Sequence, residues 1–494
     1  MYIGKGAFDN CTNLLSLTVP SSVDYIGSST GCSSLASLIL KEGDKNLELG
    51  TLSDNKIKKF YMGRNVSSQL DWMPELENLT IGKYVKYIGS DFSSSEKLTN
   101  LELEDADDVL DFGNNPMVGR VTSLYMGRNV KVNYGMIDNS AEYEANSFKN
   151  LTDLTIGDRI ESICKFLCFK NQVMRELSIP GTVKIIEPYA FCGLSYLEKL
   201  TLSEGIEKIE DHAFGFGDFG VWYNNRKVDM DELVIPSSVK SIGENAFVGI
   251  GCKHLALPDN VDIGLDAFYA IDTESLVLPK VFWGSIFNSG WFTYLDAHNC
   301  TNKFLIEGYL WNCWRLREII LPAHLETMEY ATFRECSSLE SMVCLSNEIS
   351  EITGEKIYNG KIFVLPGSQL PAEDVTYMYT VNKLNYEPSA DGKVLFDGVN
   401  NMPYDITPIF YQNGEEVELK EAGVYDLSMK ISGTTYDGIY PTGLKVNVAF
   451  STGINNVTLD SDASNCPIYN MNGQRVDGSY KGVVIQNGKK RLAK

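Results

Sequence analysis

Residues 174–214, MRELSIPGTVKIIEPYAFCGLSYLEKLTLSEGIEKIEDHAF, contain one sequence unit written twice without interruption. The apolar residues of the first copy are Leu177, Ile179, Val183, Ile186, Ala190 and Phe191, and they recur 23 residues later as Leu200, Leu202, Ile206, Ile209, Ala213 and Phe214. A fixed period of this length predicts a stack of similar coils, each packed only on its neighbours, in place of one globular core.

The same unit extends over most of the chain. The position of Pro180 recurs, mostly after 19 to 23 residues, at Pro20, Lys41, Gly63, Gly82, Glu104, Gly127, Gly157, Ser203, Pro236, Pro258, Pro279, Pro322, Leu345 and Pro366. The longer steps, which end at Gly157, Pro236 and Pro322, locate insertions, and a degenerate unit near Leu295 is expected inside the last of them. This spacing predicts about fifteen or sixteen coils.

Each unit begins with a short strand whose apolar residues alternate. Alternation in a strand places Leu200 and Leu202 inward and Lys199 and Thr201 outward. We therefore predict a mainly β fold, a right-handed solenoid with a curved parallel sheet on its concave side.

The full unit reads L-x-x-L-x-[ILV]-P-x-x-V-x-x-I-G-x-x-A-F-x-x-C, as at residues 233–247 and 316–336, and it resembles the BspA-type (treponemal) leucine-rich repeat. The resemblance covers roughly residues 1–370, although the coils within 41–150 lack the proline and often the Ala-Phe pair. It implies a leucine-rich repeat solenoid in a bacterial surface or secreted protein, with adhesion or host-protein binding as its role.

The composition changes after Asn385, where short β-like runs alternate with turn residues. The run 422–427 (AGVYDL) resembles the G-x-Y-x-V/L strand of immunoglobulin-like modules. Segments 468–476 and 482–490 resemble the C-terminal tails of exported Bacteroidetes proteins, which implies export. We predict a capped solenoid at 1–384, a small immunoglobulin-like β-sandwich at 385–453, and a β-hairpin or sorting-like tail at 454–494.

The bulk composition narrows the possible partners. With 43 basic and 65 acidic residues the net charge is −22, which disfavours nucleic acid and anionic membranes as partners. No apolar run is long enough for a transmembrane segment. Because residues 2–8 match the second half of a unit, we expect that a natural N-terminus with a signal peptide precedes this sequence. Cys11 and Cys336 follow the unit's Phe by three residues, which predicts buried thiols.

No catalytic set, metal site or cofactor motif emerges from the sequence. Residues 27–31 match G-x-S-x-G and residues 215–220 match G-x-G-x-x-G, but neither has the strand-to-helix context that the chemistry requires. His212 is expected to be a solvated turn residue. The acidic run 102–111 is more simply a solvated face than a calcium site.

The candidate binding surface lies along the outward row, the residues between the two inward positions of each strand. Its members are Thr18, Ile39, Tyr61, Thr80, Glu102, Tyr125, Thr155, Ser178, Thr201, Val234, Ala256, Val277, Ile320 and Val343, and the second half is apolar. Four of the six Trp lie nearby, in the insertion 282–314: Trp283, Trp291, Trp311 and Trp314. Exposed apolar strips and Trp clusters are typical anchors of interfaces.

We hypothesise that Val234, Val277 and Ile320 with the four Trp bind a partner. The alternative is that these aromatic residues repack a degenerate coil or pack against the following domain. The sequence thus favours a non-enzymatic cell-surface or secreted binding protein for an extracellular protein or glycan. A carbohydrate-active accessory protein or hydrolase, which would need a close carboxylate pair in a cleft, and a structural spacer stay open.

Overall fold

The structure is a computed structural model that is mainly β. It describes residues 1–88, 92, 94–113, 116–136, 143–145, 147–215, 230–280, 287, 290–305, 310–354, 360–370, 375–386, 394–419, 421–451, 454–461, 468–470, 475–476, 482–486 and 489–493. Within these residues the helical elements are two single turns of 3-10 helix, Pro116–Gly119 and Tyr330–Phe333. The repeats form a leucine-rich-repeat-like β-solenoid of about 14 turns.

The chain divides into two compact units. The first comprises residues 1–279 and 283–292, and the second comprises residues 280–282 and 293–494.

The first unit carries a parallel row of mostly four-residue strands, which we call the long-strand face. Its strands are Ser16–Val19, Ser37–Leu40, Lys59–Met62, Asn78–Ile81, Asn100–Leu103, Ser123–Met126, Asp153–Ile156, Glu176–Ile179, Lys199–Leu202, Met230–Val234, Cys252–Ala256 and Ser275–Val277. Leu177 pairs with Leu200 and Ile179 pairs with Leu202, so residues one period apart lie on adjacent rungs, as predicted.

A second row of short strands closes the coils of the first unit. Its members are Tyr2–Ile3, Tyr25–Ile26, Glu48–Leu49, Leu110–Asp111, Val130–Lys131, Ser162–Ile163, Ile185–Ile186, Lys208–Ile209, Ser241–Ile242 and Asp262–Ile263. An antiparallel hairpin, Tyr134–Met136 with Tyr143–Ala145, lies in the insertion before Asp153.

The phenylalanines of the Ala-Phe element form a stack inside the first unit. Successive rings of Phe191, Phe214, Phe247, Phe268 and Phe287 lie 5.1 to 5.6 Å apart between centroids, with interplanar angles of at most 22°. All five rings are fully buried. The repeated Phe therefore gives each coil an aromatic contact with the next, which is the stacking that a single coil could not supply.

A second motif, YMGRNV, occurs at residues 61–66 and again at 125–130. Its arginines are fully buried and reach back across two coils: Arg64 donates from both Nη atoms to the backbone carbonyls of residues 20, 21 and 23, and Arg128 donates to those of residues 82, 83 and 85. The preceding glycine is required, because a Cβ on Gly63 would lie 2.4 Å from the Leu40 carbonyl oxygen.

The second unit also begins with coils of this kind. Its longer parallel strands are Tyr294–Asp296, Glu318–Ile320, Ser341–Cys344, Lys361–Val364 and Val375–Tyr377, and its short strands are Phe304–Leu305, Thr327–Glu329 and Glu351–Thr353.

Antiparallel structure follows. The strands Tyr379–Tyr386 and Val394–Asn400 form a hairpin, and five further strands form one sheet in the order Glu415–Val417, Asp405–Gln412, Gly423–Ser432, Gly438–Ser451 and Ile454–Ser461. A small sheet consists of Arg475–Val476, Ile468–Asn470, Gly482–Gln486 and Lys489–Ala493.

Two of the predicted domain boundaries lie within this antiparallel structure. The boundary at 384 falls inside the strand Tyr379–Tyr386, and the boundary at 453 separates Gly438–Ser451 from Ile454–Ser461, which pair over eight residues. An immunoglobulin-like sandwich is not confirmed. The five-stranded sheet instead packs apolar side chains such as Tyr425 and Met429 into a core shared with the solenoid residue Val343.

Candidate functional site: the long-strand face

The outward row is apolar and exposed near the end of the first unit. Val234 pairs with Ala256, and the pairing of Leu255 with Leu276 places Val277 on the next rung. Val234 is 47% exposed, Val277 is 41% exposed, and Ala256 is also exposed. We call these three residues the exposed apolar segment. Two of the predicted site residues thus lie together on one open face.

The sheet of the long-strand face is interrupted twice before this segment, after Asp153–Ile156 and after Lys199–Leu202. One seven-stranded sheet ends at Asp153–Ile156, and a separate pair of strands begins at Glu176–Ile179. A groove of about 610 Å³ lies at the first of these interruptions. Its lining is mostly polar and of mixed charge: Thr152, Asp153, Leu154, Thr155, Val173, Arg175, Glu176, Leu177, Ser178, Lys199 and Thr201. Arg175 is paired with Glu198 at its edge.

Ile320 does not belong to an open surface. It is 0% exposed and lies in the core that the last coils share with the antiparallel sheet, together with Val343, Met429 and Tyr436. The apolar character of this part of the outward row is explained by its burial under the sheet. This placement agrees with the alternative in which the residues pack against the following domain, and it removes Ile320 from the contact surface.

A buried acid on the same row was missed by the sequence analysis. Asp296 is 0% exposed and pairs with Ile320, so it occupies the row position of the degenerate coil near Leu295. Its Oδ1 accepts hydrogen bonds from the backbone N–H of His298 at 3.0 Å and lies 2.7 Å from the ring Nδ1, while Oδ2 accepts one from Thr435 at 2.6 Å. The sequence did contain a signal for this acid, because Asp296 directly follows Leu295 and therefore falls on the outward row.

These bonds explain the ionisation of Asp296. Burial raises its pKa, but the hydrogen bonds from His298 and Thr435 favour the charged form and together hold the pKa below the usual value. Thr435 lies in the turn between two strands of the antiparallel sheet, and its hydroxyl also lies 2.6 Å from the hydroxyl of Tyr294. A charged, fully bonded carboxylate thus fastens that turn to the solenoid.

Of the three predicted tryptophans that the structure describes, Trp291 belongs to the first unit, and Trp311 and Trp314 belong to the second. Trp291 is half-buried, and its backbone N–H donates to the carbonyl of Ile271 at 2.7 Å. Trp311 is 44% exposed and Trp314 is 52% exposed, both on one turn of the second unit. Trp283 lies outside the described residues.

The comparisons with known proteins agree with this architecture. A family model described as "BspA type Leucine rich repeat region (6 copies)" matches residues 1–115, 136–217, 222–340 and 298–365. The chain belongs to the BspA-type leucine-rich repeat family.

Similar solved structures are bacterial leucine-rich repeat proteins. A leucine-rich repeat protein from Bacteroides ovatus ATCC 8483 is 17% identical, with 74% of this chain and 82% of that chain covered and a TM-score of 0.38. The pneumococcal vaccine antigen PcpA is 17% identical, with 74% and 84% covered and a TM-score of 0.28. A leucine-rich cell surface protein from Faecalibacterium prausnitzii A2-165 is 16% identical, with 72% and 83% covered and a TM-score of 0.22. No curated protein matches the chain.

The titratable residues of this BspA-type solenoid serve its packing. His212, expected in solvent, is half-buried and stacks on Tyr189 with ring centroids 4.7 Å apart, and burial lowers its pKa. Cys336 is buried as predicted, whereas Cys11 is half-exposed.

Among the described residues, no group of three His, Cys, Asp or Glu is placed to hold a metal ion. Nor does any described helix have the length and apolarity needed to cross a bilayer.

Proposed function

We propose that the chain is a non-enzymatic, adhesin-like binding protein, secreted or displayed on the cell surface. In this proposal the long-strand face of the first unit contacts an extracellular protein or glycan. The observation that carries it is the exposure of Val234 and Val277 on a strand face, where large apolar side chains are usually covered.

The surroundings of the exposed apolar segment support an interface. The neighbouring outward positions are polar, with Glu232, His254 and Ser275 on consecutive rungs. An apolar centre within a polar rim is the usual composition of a protein-binding surface. Parallel ladders already hold the backbone of these strands, so binding would require little ordering of the chain.

The extracellular location is supported by the family and by the charge. BspA-type repeats are typical of bacterial surface and secreted proteins, as the sequence resemblance implies. A net charge of −22 disfavours the polyanionic partners that dominate inside a cell, such as nucleic acids.

A direct test places a charge on the exposed apolar segment. We expect Val234→Lys and Val277→Lys each to reduce binding of the intact chain to its partner on a glycan and host-protein array by about tenfold or more, because a lysine there would have to be desolvated. Thr18→Lys, an exposed substitution on the same row at the other end of the unit, is the matched control. Equal binding by all three variants would contradict the proposed face.

A second candidate function has one observation in its favour. Asp153 and Glu176 both line the groove, and a carbohydrate hydrolase needs two carboxylates flanking its substrate. Both carboxylates are exposed, however, and a catalytic acid usually owes its raised pKa to burial. We therefore expect no release of reducing ends from a panel of polysaccharides. Release that disappears in Asp153→Asn or Glu176→Gln would establish the hydrolase.

A further inference from the structure

A second groove lies in the second unit, next to the exposed tryptophans. It has a volume of about 660 Å³ and is open to solvent. Its lining consists of Thr293, Arg315, Arg317, Ser337, Ser338, Leu339, Glu340 and Lys361. Three hydroxyl side chains and three cationic side chains therefore line this groove. None of these residues belongs to the long-strand face of the first unit.

The tryptophans are aligned with this groove by the coil register. Glu318 pairs with Ser341, and the same offset of 23 residues places Trp314 one rung from Ser337 and Trp311 one rung from Arg334. The second alignment is visible as a contact, since the Arg334 guanidinium lies 5.6 Å from the Trp311 ring centroid. Trp314, which directly precedes Arg315, is 52% exposed. An exposed indole ring thus lies next in sequence to a residue that lines the groove.

The charge of the groove is opposite to that of the chain. Among the described residues that line it, Arg315, Arg317 and Lys361 outnumber the acid Glu340, whereas the whole chain carries a net charge of −22. Arg317 donates from Nε and Nη2 to one oxygen, Glu340 Oε1, at 3.0 and 2.7 Å, so this guanidinium already binds a carboxylate beside the groove.

We propose that this groove binds an acidic oligosaccharide, one that carries a uronic or sialic acid. Arg315 and Arg317 hold the sugar carboxylate through charge-assisted hydrogen bonds. The serine hydroxyls exchange hydrogen bonds with the sugar hydroxyls, and Trp314 packs on the apolar face of a ring. The residues of this site all belong to the second unit, so its binding does not use the residues of the long-strand face.

The test measures binding of the intact chain by calorimetry with trigalacturonate and 3′-sialyllactose as probes. Their neutral counterparts are methyl-esterified trigalacturonate and lactose. We expect at least one acidic probe to bind and its neutral counterpart to bind about tenfold more weakly or not at all, because a charge-assisted bond is lost. No binding of either acidic probe, or equal binding of the neutral sugars, would overturn the proposal.

Variants locate the site. We expect Trp314→Ala and Arg315→Gln each to weaken binding about tenfold. Glu340→Gln should strengthen it by about threefold, because it removes the carboxylate that competes for Arg317. Phe304→Ala is the matched control, since Phe304 is 53% exposed and does not line the groove.

Two further results would count against the assignment. Binding that survives both Trp314→Ala and Arg315→Gln would show that the sugar binds elsewhere. Full competition by a poly-glutamate peptide would show an acidic-peptide site in place of a glycan site. Because the Val234→Lys and Val277→Lys variants leave this groove intact, failure here is distinguishable from failure of the proposed long-strand face.

Discussion

Replacement of Arg128 by alanine should destabilise the first unit strongly, although the residue lies far from both candidate binding surfaces in sequence. Its side chain is 0% exposed. Nη1 donates to the carbonyls of Lys83 and Val85 at 3.3 and 2.7 Å, and Nη2 donates to that of Gly82 at 3.0 Å. The substitution would leave three carbonyl oxygens without this donor and create a cavity between coils.

The magnitude follows from opposing contributions. Hydrogen bonds to a charged group contribute about 1.5–3 kcal/mol each, but burial of the guanidinium costs several kcal/mol. Burial lowers the pKa of Arg128 to about 10, so the side chain stays charged at neutral pH. Its buried Nε has no hydrogen-bond partner, which reduces the net gain. We expect Arg128→Ala to lower the free energy of unfolding by about 3 kcal/mol, the lower end of the range for breaking a buried charged network.

The assay is urea unfolding combined with hydrogen exchange. Arg175→Ala is the matched control, because Arg175 is 60% exposed at the side chain and its ion pair with Glu198 should contribute less than about 1 kcal/mol. Since each coil packs only on its neighbours, amides in residues 78–131 should exchange faster in Arg128→Ala, while those in residues 176–214 keep their protection. Equal destabilisation by the two variants, or acceleration spread evenly over the unit, would refute the reasoning.

Three further predictions concern the core and the thiols. Phe247→Ala, in the middle of the phenylalanine stack, should cost about 3–5 kcal/mol by urea unfolding and Phe247→Leu clearly less, and equal losses would argue against stacking. The stability that ionised Asp296 contributes is present above its ordinary pKa of 3.8 and should be lost as the pH falls further. Limited proteolysis around residue 435 would detect the release of the Thr435 turn from the solenoid. Asp296→Asn should show the same cleavage already at neutral pH. Alkylation at pH 8 followed by mass spectrometry should label Cys11 before Cys344, because burial raises the pKa of Cys344 to about 11; equal rates would contradict this.

The repeat could be predicted from sequence because its apolar residues recur at a fixed spacing. Leucines and phenylalanines that recur after 23 residues must point into the same coil interior, and the pairing of Leu177 with Leu200 and the stacking of Phe191 on Phe214 follow directly. The outward direction of Val234 and Val277 follows in the same way from alternation along the strand.

Contacts between equivalent turns were harder to predict. His212 precedes the Ala-Phe element, in a position where the backbone adopts a left-handed conformation with φ of 55°. Tyr189 occupies the same position one coil earlier with φ of 59°, and this shared conformation brings the two rings into a stack. The buried arginines had a visible signal, the YMGRNV sequence repeated after 64 residues, but their hydrogen bonds cross two coils and so lie outside a comparison of adjacent units.

The outward row shows what a repeat pattern leaves undetermined. Val277 and Ile320 hold the same position in their coils, yet Val277 is 41% exposed and Ile320 is 0% exposed. The period determines only the direction of a side chain, whereas its exposure depends on whatever packs on that side. Beyond Tyr294 the antiparallel sheet covers the row, and the buried Asp296 can be tolerated there because Thr435 of that sheet supplies a hydrogen bond. An apolar outward row in a solenoid therefore indicates a surface that is covered, either by another part of the same chain or by a partner. In each coil, the outward residue is available to a partner only where the antiparallel sheet does not pack on it.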